Sequence, residues 1–138
     1  MALTGNIISL VAALIRDADG RVLLVRKRGT SAFMQPGGKR DAGENDIAAL
    51  TREIGEELGC RVATESARAL GVFDADAANE PGFRVRAAVC AVDVEGAVRP
   101  RAEIDEITWV DPRALPDLPL APLTRDYVLP LALARAME

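Results

Sequence analysis

The spacing of apolar residues predicts two strands near the start of the chain. Residues 7–16 and 21–28 are rich in Val, Ile and Leu, and residues 17–20 between them, which end in Gly20, have the composition of a tight turn. We therefore expect a β-hairpin. Residues 29–43 show no periodicity and contain several glycines, so they are expected to form a loop.

A helical pattern follows this loop at residues 46–58. Apolar residues recur there at intervals of three and four, which places them on one face of a helix. They are Ile47, Leu50, Ile54 and Leu58. Gly59 comes next and is expected to end the helix, because glycine readily adopts the left-handed conformation of a helix C-cap.

The rest of the chain mixes strands and helices without strict alternation, which predicts a sheet sandwiched by helices. Strands are expected over residues 61–73, 83–94 and 107–110. The middle one is apolar on both faces, so we expect both of its faces to be covered. A short helix is expected to begin at Asp111-Pro112. A final helix is expected from Thr124, where Pro130 either kinks or restarts it.

The predicted helix at residues 46–58 carries charges that folding alone does not explain. Glu53, Glu56 and Glu57 stand three and four residues apart, so their carboxylates share one patch and repel one another. They also occupy the end of the helix where its dipole disfavours negative charge. Together these effects cost about 1 to 3 kcal/mol. A bound divalent cation would reverse the sign of this cost.

Composition narrows the choice of partners and chemistry. The net charge is -4 at pH 7, so there is no basic excess for a nucleic-acid polymer, whereas a small phosphorylated ligand held through a metal remains open. The chain has no histidine, which excludes Ser-His-Asp and Cys-His nucleophilic sites and the HExxH zinc site. The general base is therefore a carboxylate or water on a metal.

Cysteine usage and hydropathy predict a cytoplasmic protein. Cys60 and Cys90 lie far apart among apolar residues and form no CxxC pair, as expected of buried thiols in a reducing compartment. The apolar run at residues 7–15 has no basic segment before it and is shorter than a membrane span, so we expect no signal peptide and no membrane contact.

One motif covers the acidic helix and the loop before it. In sequence it reads Gly38, five residues, Glu44, seven residues, and then Arg52-Glu53-Ile54-Gly55-Glu56-Glu57-Leu58-Gly59-Cys60. This resembles the Nudix box, GX5EX7REUXEEXGU with U apolar, at every specified position. Its seven fixed letters would match at a random start on the order of once in a hundred million. Cys60 stands where Ile, Leu or Val is more common.

The resemblance implies a fold for most of the chain. Residues 33–39 look like the phosphate-proximal loop before the box, and the strand around Trp109 also fits the family. The expected structure is the Nudix fold, an α/β (α+β) architecture described as an α/β/α sandwich with a mixed central sheet. We expect residues 1–138 to form a single Nudix domain.

The resemblance also implies an activity. It is hydrolysis of a nucleoside diphosphate linked to another moiety, with Mg²⁺ or Mn²⁺ as cofactor. No proline lies between Cys60 and Pro81, against the ADP-ribose type, and no tyrosine precedes Tyr127, against the dinucleoside polyphosphate type. Nucleoside triphosphates, including non-standard ones, are therefore favoured. The alternatives are a nucleotide-sensing module without catalysis, and a hydrolase of a nucleotide sugar or ADP-ribose. The expected state is a monomer or homodimer.

The metal ligands are implied by the matching positions of the box. Glu56 and Glu57 are the first choices, Glu53 is a ligand or the base, and the Gly38 carbonyl completes the site. Hard cations prefer such oxygen ligands. Glu44 is implied either to contact the metal or to brace the loop.

Other roles implied by the resemblance concern catalysis and substrate. Arg52 would hold a glutamate in place by an ion pair. Glu103 is placed like the later-loop carboxylate that serves as base in mutator-type triphosphatases. The implied substrate-binding residues are Gly37, Gly38, Lys39, Arg28 and Phe33.

Overall fold

The computed structural model describes residues 6–136, so residues 1–5 and 137–138 of the expected domain lie outside the described part. In chain order the elements are β1 Ile7–Leu14, β2 Val22–Lys27, β3 Gly37–Gly38, α1 Asp46–Leu58, β4 Arg61–Asp76, β5 Arg84–Glu95, β6 Ile104–Val110, a π-helical turn Thr124–Val128 and α2 Leu129–Ala136. Within residues 6–136 no helix is long and apolar enough to cross a membrane.

The strands form two sheets. The larger has the order β3-β1-β5-β4, and the smaller pairs β2 with β6. β1 runs parallel to β5 and antiparallel to β3, and β4 is antiparallel to β5, so the larger sheet is mixed. The mixed α+β architecture expected from the sequence is confirmed.

The prediction that β1 and β2 form a hairpin is wrong, except for the reversal of the chain at the turn between them. Arg16 and Val22 form an isolated antiparallel bridge, and the Leu23 N–H donates to the Ile15 carbonyl at 2.9 Å. From there β1 enters the larger sheet and β2 pairs with β6. Both runs are largely buried, so each takes partners from distant parts of the chain, and the turn composition fixes only the local reversal.

Helix α1 has the predicted boundaries, and local signals explain both ends. The Asn45 side chain accepts a hydrogen bond from the Ala48 N–H at 2.8 Å, as an N-cap does. At the other end Gly59 has φ of 70° and its N–H donates to the Gly55 carbonyl at 3.1 Å. The apolar face of α1 packs on the sheets, with Leu50 and others fully buried.

A later loop completes the C-terminal end of α1. The Arg99 N–H donates to the Leu58 carbonyl at 3.0 Å, and the Arg101 N–H donates to the Glu57 carbonyl at 2.9 Å. These bonds satisfy carbonyls that a helix end otherwise leaves without partners. They also fix the loop before β6 beside the acidic helix.

The sheets have two apolar faces, each covered by helix. On one face α1 packs over a cluster that includes Val11, Leu23 and Cys90. On the other face the C-terminal helical segment packs over a cluster that includes Leu24 and Val89. Residues of β5 enter both clusters, which confirms that this strand is covered on both sides.

The C-terminal quarter departs from the expectation at one point. No helix begins at Asp111; the Ala114 N–H donates to the Asp111 carbonyl at 3.0 Å in a turn. Pro116 follows closely, and the residue before a proline is disfavoured in the helical conformation. Pro130 is the second residue of α2, which begins directly after the π-helical turn. The α-helix therefore restarts at this point, and the missing backbone N–H of the proline is tolerated because it lies in the first turn of the helix.

Candidate active site

The short strand β3 brings two glycines against the acidic helix. Gly37 and Gly38 pair with Ala12 and Val11 of β1. A Cβ on Gly38 would overlap the Glu53 carboxylate, and a Cβ on Gly37, whose φ is 144°, would overlap the Val11 carbonyl. The absence of a side chain therefore lets Gly38 lie against Glu53 of α1 and lets Gly37 lie against the backbone of β1.

Glu57 is the most buried carboxylate of this cluster. Its side chain is only 3% exposed, and one oxygen accepts a long hydrogen bond of 3.4 Å from the Gly37 N–H. Burial, and then the negative charge of Glu53, raise the pKa of Glu57 to about 8. In the absence of a bound metal ion, the Glu57 carboxyl group is therefore mostly protonated at neutral pH.

Glu53 lies one turn before Glu57 and lines a cavity next to Gly38. Burial raises the pKa of Glu53 above its ordinary value. The positive charge of Arg52 opposes this rise, and the neighbouring Glu56 carboxylate adds to it. Burial and like charge therefore both disfavour ionisation here, in contrast to an ordinary surface glutamate.

Arg52 organises a second group of residues on the outer side of α1. Its guanidinium donates to both oxygens of Glu44 at 2.7 and 2.8 Å, to the Lys39 carbonyl at 3.0 Å and to Glu56 at 3.0 Å. Hydrogen bonds from Arg52, and then from the Asp41 N–H, lower the pKa of Glu44 to about 2. Glu44 thus braces the glycine-rich loop through Arg52.

The carboxylates of α1 have the chemistry of ligands for a hard divalent cation. Among residues 6–136 no three acidic, His or Cys side chains already converge in a metal-binding arrangement. Glu53 and Glu57 face the glycine strand, whereas Glu56 is paired with Arg52 and is 52% exposed. The oxygen donors suit Mg²⁺ or Mn²⁺, and a cation would relieve the charge repulsion that raises the pKa values of Glu53 and Glu57.

Glu103 approaches the same place from the loop before β6. Its carboxylate lies 3.7 Å from the Lys27 ammonium, and its carbonyl accepts a hydrogen bond from the Arg28 N–H at 2.8 Å. The charges of Lys27 and Glu103 both act on the pKa values of Glu53 and Glu57. The later loop and β2 therefore complete the electrostatic environment of the helix.

A cavity of about 300 Å³ opens at this junction. One part of it is polar and charged, and the other is mostly aliphatic. It is lined by Ile8, Leu10, Lys27, Met34, Gly37, Gly38, Lys39, Glu53, Ala78, Asn79, Glu80, Val85 and Glu103. Such a mixture suits a ligand with a phosphorylated end and a less polar end.

Two of the residues expected to bind substrate lie elsewhere. Phe33 is 6% exposed and belongs to the core cluster under the C-terminal helical segment. The Arg28 guanidinium donates to the Ala102 carbonyl at 3.1 Å and does not line the cavity. Gly37, Gly38 and Lys39 do line it.

Of the basic residues at the end of β2, the sequence led us to select Arg28 for the substrate site, and it assigned no role to Asn79 or Glu80. Lys27, rather than the adjacent Arg28, reaches the cavity; Val25 and Lys27 both line a small adjoining cavity beside Glu57. Successive side chains of a strand point to opposite faces, so Lys27 faces away from Arg26 and Arg28, and this alternation could have identified Lys27 as the cavity residue. Asn79 and Glu80 come from the turn between β4 and β5, and only the pairing of strands reveals that this turn meets the cavity.

Comparison with known proteins identifies the family. The family model described as the NUDIX domain matches residues 8–131. The chain therefore belongs to the Nudix family, and the resemblance read from residues 38–60 is confirmed.

Among solved structures, the chain is similar to the ORF135 protein of E. coli, with 25% identity and a TM-score of 0.77 over 100% of this chain and 98% of that one. It is also similar to the MutT NUDIX hydrolase of Burkholderia pseudomallei, with 29% identity and a TM-score of 0.72 over 93% and 96% of the two chains.

Two curated relatives match over smaller shares of their length. The 8-oxo-dGTP diphosphatase of Haemophilus influenzae is 42% identical over 58 residues, which are 39% of this chain and 43% of that protein. The octanoyltransferase of Myxococcus xanthus is 37% identical over 121 residues, which are 81% of this chain and 32% of that protein. The matches thus cover less than half of either relative.

Proposed function

We propose that this protein is a pyrophosphohydrolase of the Nudix family that uses Mg²⁺ or Mn²⁺ to cleave a nucleoside diphosphate linked to another moiety. The supporting observation is the cavity lined by Glu53 and Glu103, by Lys27 and Lys39 and by the two glycines of β3. Hydrolysis of a pyrophosphate requires neutralisation of its oxygens and a group that accepts a proton from water.

The proposed metal ligands are Glu53, Glu56, Glu57 and the Gly38 carbonyl. When bound, the cation supplies positive charge against the pyrophosphate oxygens. The absence of a side chain at Gly38 lets the Glu53 carboxylate lie directly against the backbone that carries the proposed carbonyl ligand. Arg52 fixes the loop of residues 39–44 against α1 through its hydrogen bonds to Glu44 and the Lys39 carbonyl.

Glu103 is the proposed general base. It accepts a proton from the attacking water, whose oxygen bonds to phosphorus while the bond from phosphorus to the leaving phosphate oxygen breaks. Its position on a loop at the cavity leaves the carboxylates of α1 to the metal, and Lys27 lies close enough to hold it. Glu53 is the alternative base.

We infer that the substrate is a nucleoside triphosphate, including non-standard ones. The 8-oxo-dGTP diphosphatase among the similar proteins supports this choice, because its name gives a nucleoside triphosphate as substrate. Solved structures of a UDP-X diphosphatase and an ADP-ribose pyrophosphatase are 23% identical and support the fold alone. The name octanoyltransferase adds nothing, because the match covers 32% of that enzyme. The free, buried Cys60 and Cys90 support a role in a reducing, cytoplasmic compartment.

The test is a panel of nucleoside triphosphates, nucleotide sugars and ADP-ribose, incubated in Mg²⁺ and in Mn²⁺, with the nucleoside mono- and diphosphate products separated and measured by chromatography. We expect hydrolysis of at least one nucleoside triphosphate, and its loss in Glu57→Gln. Glu95→Gln, an exposed carboxylate paired with Arg61 away from the cavity, is the control and should stay active. Nucleotide binding without hydrolysis anywhere in the panel would instead identify a sensing module.

A further inference from the structure

We propose that Asn79 and Glu80, in the turn between β4 and β5, read the edge of the nucleobase and favour bases that carry an exocyclic amino group. This inference rests on the proposed function and assigns the specificity of the same cavity. Both residues line the cavity although they are 19 and 20 positions beyond Cys60, the last residue of the Nudix box, and belong to a separate hairpin.

The register of β1 sets the distance between the two ends of the cavity. Gly38, at the charged end, pairs with Val11, whereas Val85 at the start of β5 pairs with Ile8. Val11 is three positions after Ile8 along the strand, which corresponds to roughly 10 Å. A sugar and its first phosphate separate a base from the anhydride that is cleaved, so a base would lie at the end of the cavity next to the β4–β5 turn.

The turn that carries the two residues is well defined. The Phe83 N–H donates to the Glu80 carbonyl at 3.1 Å, and the Ala77 N–H donates to the Phe83 carbonyl at 2.9 Å. Pro81 occupies the second position, and Gly82, with φ of 84°, occupies the third, as in a type II turn. Backbone hydrogen bonds and the turn residues therefore fix the position of Glu80 in the chain.

Asn79 and Glu80 are exposed, and their side chains form no hydrogen bond or ion pair with another residue between 6 and 136. Other acidic residues of the same hairpin do: Asp76 pairs with Arg84 at 2.9 Å, and Asp74 pairs with Arg86 at 2.9 Å. The stability of the hairpin thus does not use the polar groups of Asn79 and Glu80, which leaves them free for a ligand.

The groups at the end of the cavity next to the β4–β5 turn would distinguish one nucleobase from another. Ile8, Leu10 and Val85 offer an aliphatic surface to the face of a base. The Glu80 carboxylate only accepts hydrogen bonds, whereas the Asn79 amide both donates and accepts. Adenine, cytosine and guanine present an amino N–H to such a carboxylate. Uracil and thymine present carbonyl oxygens on both sides of their ring N–H, and these oxygens repel it.

The first experiment compares kcat/KM for GTP, ATP, CTP and UTP and for dGTP, dATP, dCTP and dTTP. The wild type should prefer the best amino-bearing base over uracil or thymine by about tenfold or more, as expected when a polar site rejects an analogue that lacks its partner group. Glu80→Gln, which can also donate, should bring this ratio close to one, mainly through KM. Asp76→Asn, an acidic residue of the same hairpin that does not line the cavity, should leave the ratio unchanged.

The second experiment does not depend on hydrolysis. The Asn79 side-chain amide of ¹⁵N-labelled protein is followed by NMR during addition of an α,β-methylene analogue of GTP, or of inorganic tripolyphosphate, in Mg²⁺. The analogue should shift the Asn79 signal and tripolyphosphate should not.

Each result decides the proposal. A base ratio that Glu80→Gln leaves unchanged, equal use of uracil nucleotides by the wild type, or an Asn79 signal that neither ligand moves would overturn it. If the wild type hydrolyses no nucleotide, the proposed function fails, but a base-dependent Asn79 shift would still support the nucleobase contact.

Discussion

Replacement of Glu57 by Gln should abolish activity and yet stabilise the metal-free protein at high pH. The side chain is 3% exposed, and burial, followed by the charge of Glu53, raises its pKa from an ordinary 4.5 to about 8. One pKa unit corresponds to about 1.4 kcal/mol. The ionised carboxylate therefore lowers the free energy of unfolding by roughly 3 to 5 kcal/mol once it is fully charged.

The sign of the pH dependence follows from the direction of the shift. Because the folded protein holds the proton more tightly than the unfolded chain, this destabilisation is absent below pH 4.5, grows as the pH rises from 4.5 to 8, and is complete above pH 8. Glutamine has nearly the same shape and does not ionise. The two proteins should thus be similar in stability near pH 5, and Glu57→Gln should be more stable at pH 8.5.

Urea unfolding in EDTA at pH 5, 7 and 8.5 measures this difference, with exposed Glu95→Gln as the matched control. Repetition in Mg²⁺ should stabilise the wild type at pH 8.5 and leave Glu57→Gln unchanged, because a ligand stabilises only the state that binds it. A variant that is equally destabilised at pH 5 and pH 8.5 would refute the reasoning, since its effect would then be one of packing. Stabilisation of the variant by Mg²⁺ to the same extent as the wild type would refute the ligand role.

Three further substitutions test other parts of the site. Gly38→Ala should displace the Glu53 carboxylate, because the new Cβ would overlap it. Calorimetry should then show Mn²⁺ binding weakened at least about tenfold, with little change in the circular dichroism spectrum. An unchanged affinity for Mn²⁺ would contradict this prediction. Arg52→Lys should lower kcat more than about tenfold, because lysine cannot reproduce the two bonds to Glu44; wild-type kinetics would show that these bonds are dispensable. Glu103→Gln should lower kcat by about 100-fold or more with little change in KM, and an unchanged kcat would return the role of base to Glu53.

The parts of the structure that could be predicted from sequence are those set by local spacing. The ends of α1 depend on Asn45 and Gly59, which act within one turn of the helix. The family motif implied that the Gly38 carbonyl and Glu53 belong to the same site, because both are fixed positions of the motif. In both cases the information lies within a short stretch of chain.

Strand partners could not be predicted in this way. β1 and β2 carry similar apolar patterns, and nothing within either strand indicates that β1 pairs with β5 and β2 with β6. The same limit explains the cavity residues that were missed. Asn79 and Glu80 enter the site only because β5 runs parallel to β1, which brings the turn before Val85 beside Ile8. Likewise, the selection of Lys27 over Arg28 depends on which face of β2 turns towards α1.

The loop before β6 resolves the unfavourable position of the acidic cluster. A helix end that carries Glu56 and Glu57 would ordinarily be compensated by Lys or Arg in its last turn, and α1 has none there. Backbone N–H groups of Arg99 and Arg101 instead bind the last carbonyls of the helix. The carbonyls are thus satisfied without a cationic side chain on the helix itself, so the carboxylates remain available to a metal. Because the same loop carries Glu103, the contact that completes the helix also holds the proposed base at the cavity.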